Sequence, residues 1–303
     1  MEICDRATIM RDGCNVTELN VADTNLDEII RYMVGRELKE KFPKIHVEKG
    51  DVRLRVEKIN AGKQVKDISF EVHGGEILGI AGLVGAGRTE TARAIFGMDP
   101  KESGEIWLDG REIKIKNPMD AIRQGVVLAP EDRKKDGLCV KLSIRSNIEL
   151  PNLDIACNKL GVVNRKKVTE MVQTAKQNFS IKMPNDEIDA GSLSGGNQQK
   201  VVVGKWLARE SRVVIFDEPT RGIDVAAKVE IYNLMNDLKK QGISVIFVSS
   251  EMPEVLGIAD RIIVMCDGRI TGEMMVQDAT QEKILELATR FENKIGVDEG
   301  AKA

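Results

Sequence analysis

Three short segments carry residues whose types and spacing could do chemistry. The first is Gly82-Leu83-Val84-Gly85-Ala86-Gly87-Arg88-Thr89-Glu90, which follows the apolar run Ile77–Ala81 and precedes a helical pattern from Thr91 to Phe96 that Gly97 stops. A buried strand, a glycine-rich loop and a helix N-terminus in that order form an anion cradle. The glycines admit the dihedrals that turn backbone N–H groups inward, and the helix dipole adds a favourable field. The spacing G-x-x-x-x-G-[K/R]-[S/T] places Gly82, Gly87, Arg88 and Thr89, with Gly85 and Glu90 in the same segment, so phosphate is the expected ligand. A generic glycine turn is the competing reading. A dinucleotide loop is a second, but no G-x-G-x-x-G opens this helix. Arg88 stands where the pattern usually has lysine, and a planar fork is a poor copy of a compact ammonium.

The second segment, Arg212-Val213-Val214-Ile215-Phe216-Asp217-Glu218-Pro219-Thr220, sets two carboxylates at the end of a four-residue apolar strand. Beside a P-loop, the first carboxylate can hold Mg2+ and the second can orient an attacking water. Solvated acids at a strand end are the bland alternative, which the upstream glycine loop disfavours. The third segment, Leu193-Ser194-Gly195-Gly196-Asn197-Gln198-Gln199-Lys200, opens a helix that runs to Ala208 and lies 21 residues before Asp217, counted from Gly196. Its serine, glycine amides and helix dipole make another anion site.

The elements that must position these segments are legible in outline. From Val213 onward, short apolar strands (VVIF, SVIFV, RIIVM) alternate with helices at Ala226–Gln241 and Gln281–Asn293, the pattern of a parallel sheet covered on both faces. Val52–Ile115 is rich in strands, with Glu105–Leu108 and Arg111–Ile113 joined by the hairpin signal Asp109-Gly110. Residues 140–195 are polar and mostly helical, most clearly at Lys166–Asn178, and the charged stretch 37–50 has the character of a linker. Residues 3–13 (ICDRATIMRDG) and 258–268 (IADRIIVMCDG) agree at six of eleven positions, at a constant offset of 255 that also aligns Asp27–Ile30 with Glu282–Leu285. This internal repeat makes residues 1–36 the expected tail of an incomplete first domain and residues 51–303 a complete second copy.

Composition narrows the function classes. With 303 residues, 42% hydrophobic and 31% charged, the chain has the make-up of an ordinary soluble globular protein. Forty-five Lys and Arg against 48 Asp and Glu give a net charge of −3, which lacks the basic surplus of a dedicated nucleic-acid binder. No apolar run is long enough to span a bilayer, and the start Met-Glu-Ile-Cys-Asp-Arg is too charged for a secretory segment. Five scattered cysteines suggest neither a disulfide framework nor a metal cluster, which makes a reduced cytoplasmic compartment the default. His46 and His73 are expected at the surface, and Trp107 and Trp206 in packing roles.

Glycine loop, Ser-Gly-Gly turn and Asp-Glu pair, in this chain order, resemble the ABC-type ATPase family over residues 52 to about 295. Pro130-Glu131-Asp132-Arg133, Gly87–Glu90 and Gly195–Lys200 narrow the resemblance to the second cassette of two-cassette ATPases of bacterial monosaccharide importers, the ribose and galactose type. The resemblance implies an α/β P-loop NTPase fold with a mixed central sheet, an antiparallel β subdomain and a helical subdomain at about 131–195. It implies ATP and Mg2+ as ligands, with Thr89 and Asp217 at the metal and Glu218 as the catalytic carboxylate. It also implies a peripheral position on the cytoplasmic face of the membrane. The implied partners are a first ABC cassette, an integral-membrane permease docked on the helical subdomain and, indirectly, a periplasmic or lipid-anchored sugar-binding protein.

Against the family pattern, Glu131 occupies the Q-loop glutamine position, Ser250 the switch-histidine position and Glu90 that of a second P-loop hydroxyl. No aromatic stands in 57–62 to stack on adenine. Leu193 and the Ser194-Gly195-Gly196-Asn197 turn, Asp217, Glu218 and Asp224 in the D-loop position are intact. Such cassettes pair head to tail, so the pattern implies a degenerate pocket in this cassette and a signature turn that completes its partner's. The alternatives are a non-catalytic module and a non-transport member of the family acting on ribosomes or DNA. The run Arg133-Lys134-Lys135-Asp136 is either a solvated loop or an interdomain or permease contact.

Overall fold

The computed structural model describes residues 4–11, 14–25, 28, 29, 32 and 41–291. Its strands, in chain order, are β1 (Arg6–Arg11), β2 (Cys14–Asn20), β3 (Val52–Ala61), β4 (Val65–His73), β5 (Ile77–Gly82), β6 (Ser103–Leu108), β7 (Arg111–Ile113), β8 (Val126–Ala129), β9 (Val213–Asp217), β10 (Ser244–Val248), β11 (Arg261–Cys266) and β12 (Arg269–Met275). Its α-helices are α1 (Arg88–Phe96), α2 (Pro118–Gln124), α3 (Ile144–Glu149), α4 (Leu153–Ala156), α5 (Arg165–Asn178), α6 (Gly195–Leu207), α7 (Val225–Lys240), α8 (Met252–Ile258) and α9 (Gln281–Ala288).

A six-stranded sheet, ordered β12-β11-β5-β10-β9-β8, forms the centre. Its neighbours from β8 to β11 are parallel, and β12 is antiparallel to β11. Every residue of β8, β9, β10 and β11 is buried, which is why these strands are unbroken apolar runs rather than alternating ones. A second, antiparallel sheet follows the order β4-β3-β6-β7, with the expected hairpin at Asp109-Gly110. Helices α3, α4 and α5 lie in the segment expected to be a helical subdomain, and α3 and α5 both pack on α6. The fold is the expected mixed-sheet α/β architecture.

The register of the central sheet decides where chemistry can occur. Ile80 of β5 lies beside Val248 of β10, which lies beside Asp217 of β9. β9 and β10 therefore end together, and β5 runs two residues further, to Gly82. Gly82–Thr89, Asp217–Glu218 and Ser249–Ser250 leave the sheet at one edge.

Helix α9 stops at Ala288, short of the expected Asn293, and residues 292–303 lie outside the described residues. Residues 41–50 have no regular structure but are strapped to the body. Asn236 Nδ2 donates to the Pro43 carbonyl (2.6 Å), Lys239 Nζ to that of Ile45 (2.9 Å) and Lys44 Nζ to that of Ala259 (2.8 Å), while the Phe42 ring packs on Tyr232. The apolar period alone gives no sign of this, because the anchors are polar groups reaching backbone carbonyls. Trp206 is buried against Phe96 and donates to the Leu128 carbonyl (3.1 Å), Trp107 is half-buried and His46 exposed. His73 is half-buried, its Nδ1 3.1 Å from the Gly50 carbonyl.

The repeat extends to three dimensions. Subtracting 255 carries β11, β12 and the 3-10 turn Val276–Asp278 onto β1, β2 and Val21–Asp23. Arg6 faces Asn20 as Arg261 faces Met275, with the register shift at Ile9/Met10 in one hairpin and Val264/Met265 in the other. Even the next helix start corresponds: Asn25 Oδ1 accepts from the Glu28 amide, and Thr280 Oγ1 from that of Lys283. Asp27 and Ile30 lie outside the described residues. One difference stands out. β11 has β5 on its other side, whereas β2 is the only strand paired with β1 among the described residues.

The two larger sheets are joined by a buried guanidinium. Arg261 Nε and Nη2 donate to the Glu76 carboxylate (2.8 and 3.0 Å), Nη1 to Glu273 (2.6 Å) and Nη2 also to the Glu71 carbonyl (2.6 Å). Removing one partner of a buried pair strands the other charge, so Glu76→Ala is expected to cost about 3 kcal/mol in urea unfolding. An unchanged midpoint would show that Glu273 alone satisfies Arg261.

Candidate functional site

The glycine loop caps the N-terminus of α1. Gly87 precedes the helix at φ +94°, and a side chain there would overlap the Gln64 carbonyl, so only glycine lets the β3–β4 turn close over the loop. The amide of Gly268 donates to the Ala86 carbonyl (2.9 Å), pinning the loop from the other side. A Cβ at Gly85 would meet nothing within 4 Å, so this part of the loop faces open space. The first amides of α1 have no carbonyl one turn earlier within the helix and point toward that space.

The open space is a cavity of about 420 Å³. It collects Gly85, Gly87, Arg88, Thr89 and Glu90 from the loop and helix, Glu131 from the segment after β8, Glu218 from the end of β9 and Ser250 from the end of β10. Gly82 lies behind it at the end of β5. Three residues not singled out in the sequence, Val84, Ala86 and Arg221, also line it. Arg221 forms an ion pair with Glu131, and its position three residues after Glu218 was the available signal.

Asp217 lies beneath the wall, 1% exposed, and accepts from the Thr89 hydroxyl at 3.0 Å. Burial pushes its carboxyl up to about 6, the Thr89 hydrogen bond pulling the other way. A buried carboxylate short of positive charge beside a hydroxyl fits a small divalent cation that keeps water and phosphate oxygens in its shell. Thr89 and Asp217 are therefore the residues that would hold Mg2+.

Arg88 does not face the glycine amides. It is buried, and its Nη1 donates to the Ser249 carbonyl (2.5 Å) while Nη2 lies 3.5 Å from Glu218 Oε1. Burial draws the guanidinium down from its ordinary value, against the raising effect of Glu218 and Asp217. Glu218 also accepts from the Ser250 hydroxyl (3.0 Å), and its backbone is left-handed, φ +44°. A carboxylate that accepts from Ser250 and faces Arg88 is held in place.

The Ser-Gly-Gly turn lies outside this cavity. Ser194 is exposed ahead of α6, Asn197 Nδ2 donates to its hydroxyl (2.9 Å), Leu193 and Gly195 are half-buried, and Gly196 packs against Ala227. Asp224 is exposed and caps α7 through the Ala227 amide (2.9 Å). Arg133 bridges the two regions, donating from Nε to Gln198 Oε1 (3.2 Å) and from Nη1 to the Arg221 carbonyl (3.2 Å). The charge run thus begins with an internal contact rather than a solvated side chain.

A glycine cradle with a paired hydroxyl and carboxylate below and a second carboxylate opposite defines a P-loop nucleotide site. Residues 65–221 match the ABC transporter family, and the chain belongs to that family. It is 49% identical over 287 residues to a ribose import ATP-binding protein, RbsA, of Bacillus subtilis, covering 95% of this chain and 58% of that protein. It is 48% identical over 295 residues to a xylose import ATP-binding protein, XylG, of Moorella thermoacetica, again 95% of this chain and 58% of that one. The chain thus spans somewhat more than half the length of these relatives. Among solved structures, a nucleotide-free ATP-binding cassette from an ABC transporter superposes with a TM-score of 0.67 at 20% identity, over 78% of this chain and 98% of that one. That likeness is one of fold.

The Asp217 carboxyl yields a test of the site's electrostatics. Folding raises its pKa from 3.8 to about 6, so the folded chain holds the proton more tightly and stability falls as pH rises between those values. Asp217→Asn keeps the acceptor for Thr89 and removes the buried charge. It is expected to stabilise the metal-free chain by about 2–3 kcal/mol at pH 7, the gain vanishing near pH 4. Urea titrations across this range check it, and an equal gain at pH 4 would refute the electrostatic cause.

Proposed function

We propose that this chain is the ATP-binding part of a monosaccharide importer, coupling ATP binding and hydrolysis to movement of a sugar through a membrane permease. The observation that carries the reading is the Thr89–Asp217 pair beneath the glycine cradle, with Glu218 and Ser250 on the opposite wall. The ribose and xylose import relatives support the substrate class. In this reading the glycine amides bind ATP phosphates, and Glu218 orients the attacking water. Mg2+, when bound by Thr89 and Asp217, supplies charge neutralisation on the phosphates. Among the described residues no helix is long and apolar enough to cross a membrane, so the permease would be the membrane element. The chain would sit peripherally on the cytoplasmic face, with a sugar-binding protein acting from the far side.

The local geometry also supports a degenerate pocket. Arg88 is turned to Ser249 and Glu218, Glu131 is paired with Arg221, and Ser250 reaches Glu218 with a neutral hydroxyl. The exposed Ser194 turn would serve a partner cassette's phosphate, as the family's head-to-tail pairing implies. The shared hairpin geometry supports assigning residues 1–36 to the end of that first cassette, with a strand like β5 completing β1.

A fluorescent ATP analogue and a phosphate-release assay test the reading. Mg2+-dependent binding with slow release is expected, and Glu218→Gln should abolish the release while leaving binding within about twofold. Arg88→Lys frees Glu218 and restores a point charge to the loop, so affinity should rise about tenfold, or 1.4 kcal/mol. No binding by the chain would refute the proposal. Binding with release indifferent to Glu218→Gln would favour the non-catalytic module, the second reading that Arg88's position supports.

A further inference from the structure

Behind the wall that carries Glu218 and Ser250 lies a carboxylate to which no role has been given. Glu254, in α8, is 1% exposed. Thr220 Oγ1 lies 2.9 and 2.7 Å from its two oxygens, Ser249 Oγ donates to Oε2 (2.9 Å) and Lys228 Nζ to Oε1 (2.8 Å). Tyr232 adds a further hydrogen bond. Thr220 and Ser249 are themselves buried.

The donors come from three places that matter. Thr220 is two residues beyond Glu218, Ser249 immediately precedes Ser250, and Lys228 and Tyr232 belong to α7, the helix capped by Asp224. A closed circuit results: Glu254 to Ser249, along the chain to Ser250, by hydrogen bond to Glu218, along the chain to Thr220 and back to Glu254. The Glu218 amide donates to the Val248 carbonyl (3.0 Å), stitching the circuit across its middle. Glu218 needs such a frame, because a non-glycine residue at φ +44° persists only where its surroundings over-determine it.

We propose that Glu254 is a positioning residue, whose buried carboxylate holds the Glu218–Thr220 and Ser249–Ser250 segments in register so that Glu218 and Ser250 face one cavity. The charge matters as well as the shape. Three hydroxyls and an ammonium converge on two oxygens, and only a carboxylate accepts from all of them. Burial pushes the Glu254 carboxyl up, but the bonds from Lys228, Thr220 and Tyr232 outweigh it, leaving it below the ordinary value and ionised. Glutamine would present an N–H where Thr220 or Ser249 now donates, opening the circuit while filling the same volume. Through Lys228, which also contacts Glu251 (2.6 Å), the start of α7 is bound to the same frame.

The geometric claim stands without any nucleotide; its catalytic consequence rests on the ATP reading above. Amide hydrogen exchange on the whole chain, as Glu254 and as Glu254→Gln, tests the first. Exchange is expected to quicken at least tenfold at 218–221 and 249–251, with β5 and α1 unchanged. Exchange that stays unchanged at those segments, or that quickens equally in β5, would overturn the proposal. Thr220→Val, which keeps shape but removes one donor, should reproduce the local pattern more weakly and guards against a Glu254→Gln chain that fails to fold. Single-turnover cleavage of Mg-ATP, with the chain in excess, tests the second: Glu254→Gln should slow cleavage about tenfold or more with nucleotide affinity within twofold. Loss of affinity without a slower step would overturn the positioning role. A wild-type chain that binds but cleaves nothing would refute its own hydrolysis, leaving exchange to decide the frame.

Discussion

The site depends on one constraint: three neighbouring parallel strands run out within two residues of one level. Ile80, Val248 and Asp217 stand side by side in the ladder, so the loops that follow them emerge within reach of one another. Hydrogen-bonded register sets that level, and because both faces are buried, a slip of one residue would disrupt the packing of both and draw Asp217 along the ladder. Phosphate-binding amides, a cation-binding pair and a second carboxylate are consequences of where the ladder ends. The residues that line the cavity are far apart in sequence because a parallel sheet needs a crossover between successive strands.

Much of this was legible because the chemistry and the fold speak through the same residues. Gly82, Asp217 and Glu218 lie at strand ends, and Thr89 opens the helix that follows one; strand ends are what apolar runs broken by polar residues mark. Two things were not legible. The side chain of Arg88 is directed by a carbonyl 161 positions away, and nothing local to the loop distinguishes a guanidinium facing phosphate from one facing Ser249. Glu254 sits in an unremarkable Met-Pro-Glu turn, and its donors converge only once β9, β10 and α7 are packed. Residues 41–50 were obscure for the same reason: a strap held through its carbonyls leaves no hydrophobic period.

The electrostatics of the cavity explain why its polar groups are arranged as they are. Asp217, Glu218, Glu90 and Glu131 put four carboxyl groups in or beneath a space suited to a polyanion. Three of the four find their accommodation within the chain. Asp217 does so by a raised pKa, Glu218 through Arg88 and Ser250, and Glu131 through Arg221. These arrangements compete with phosphate for the same cations. A lysine in place of Arg88 would be a weaker partner for the Ser249 carbonyl and Glu218 together, since it lacks the fork that serves both. The arginine thus favours the unliganded arrangement, which agrees with the proposed degenerate pocket.

The same chain of contacts reaches the Ser-Gly-Gly turn. Arg221 carries a cavity-facing side chain paired with Glu131 and a carbonyl bonded to Arg133, and Arg133 in turn holds Gln198 in the first turn of α6. Gly195 admits this, because a side chain there would press against the Arg133 guanidinium at 2.7 Å. The glycine of the turn thus leaves room for the Arg133 guanidinium, which a larger residue would displace from Gln198 and the Arg221 carbonyl. Whatever alters the Glu131–Arg221 pair in the cavity bears on the backbone that carries Ser194, through two side chains and one carbonyl. The connection bypasses Arg88 and Ser250 but begins at Glu131, so a departure from the family pattern stands at its cavity end and the Ser-Gly-Gly turn at the other.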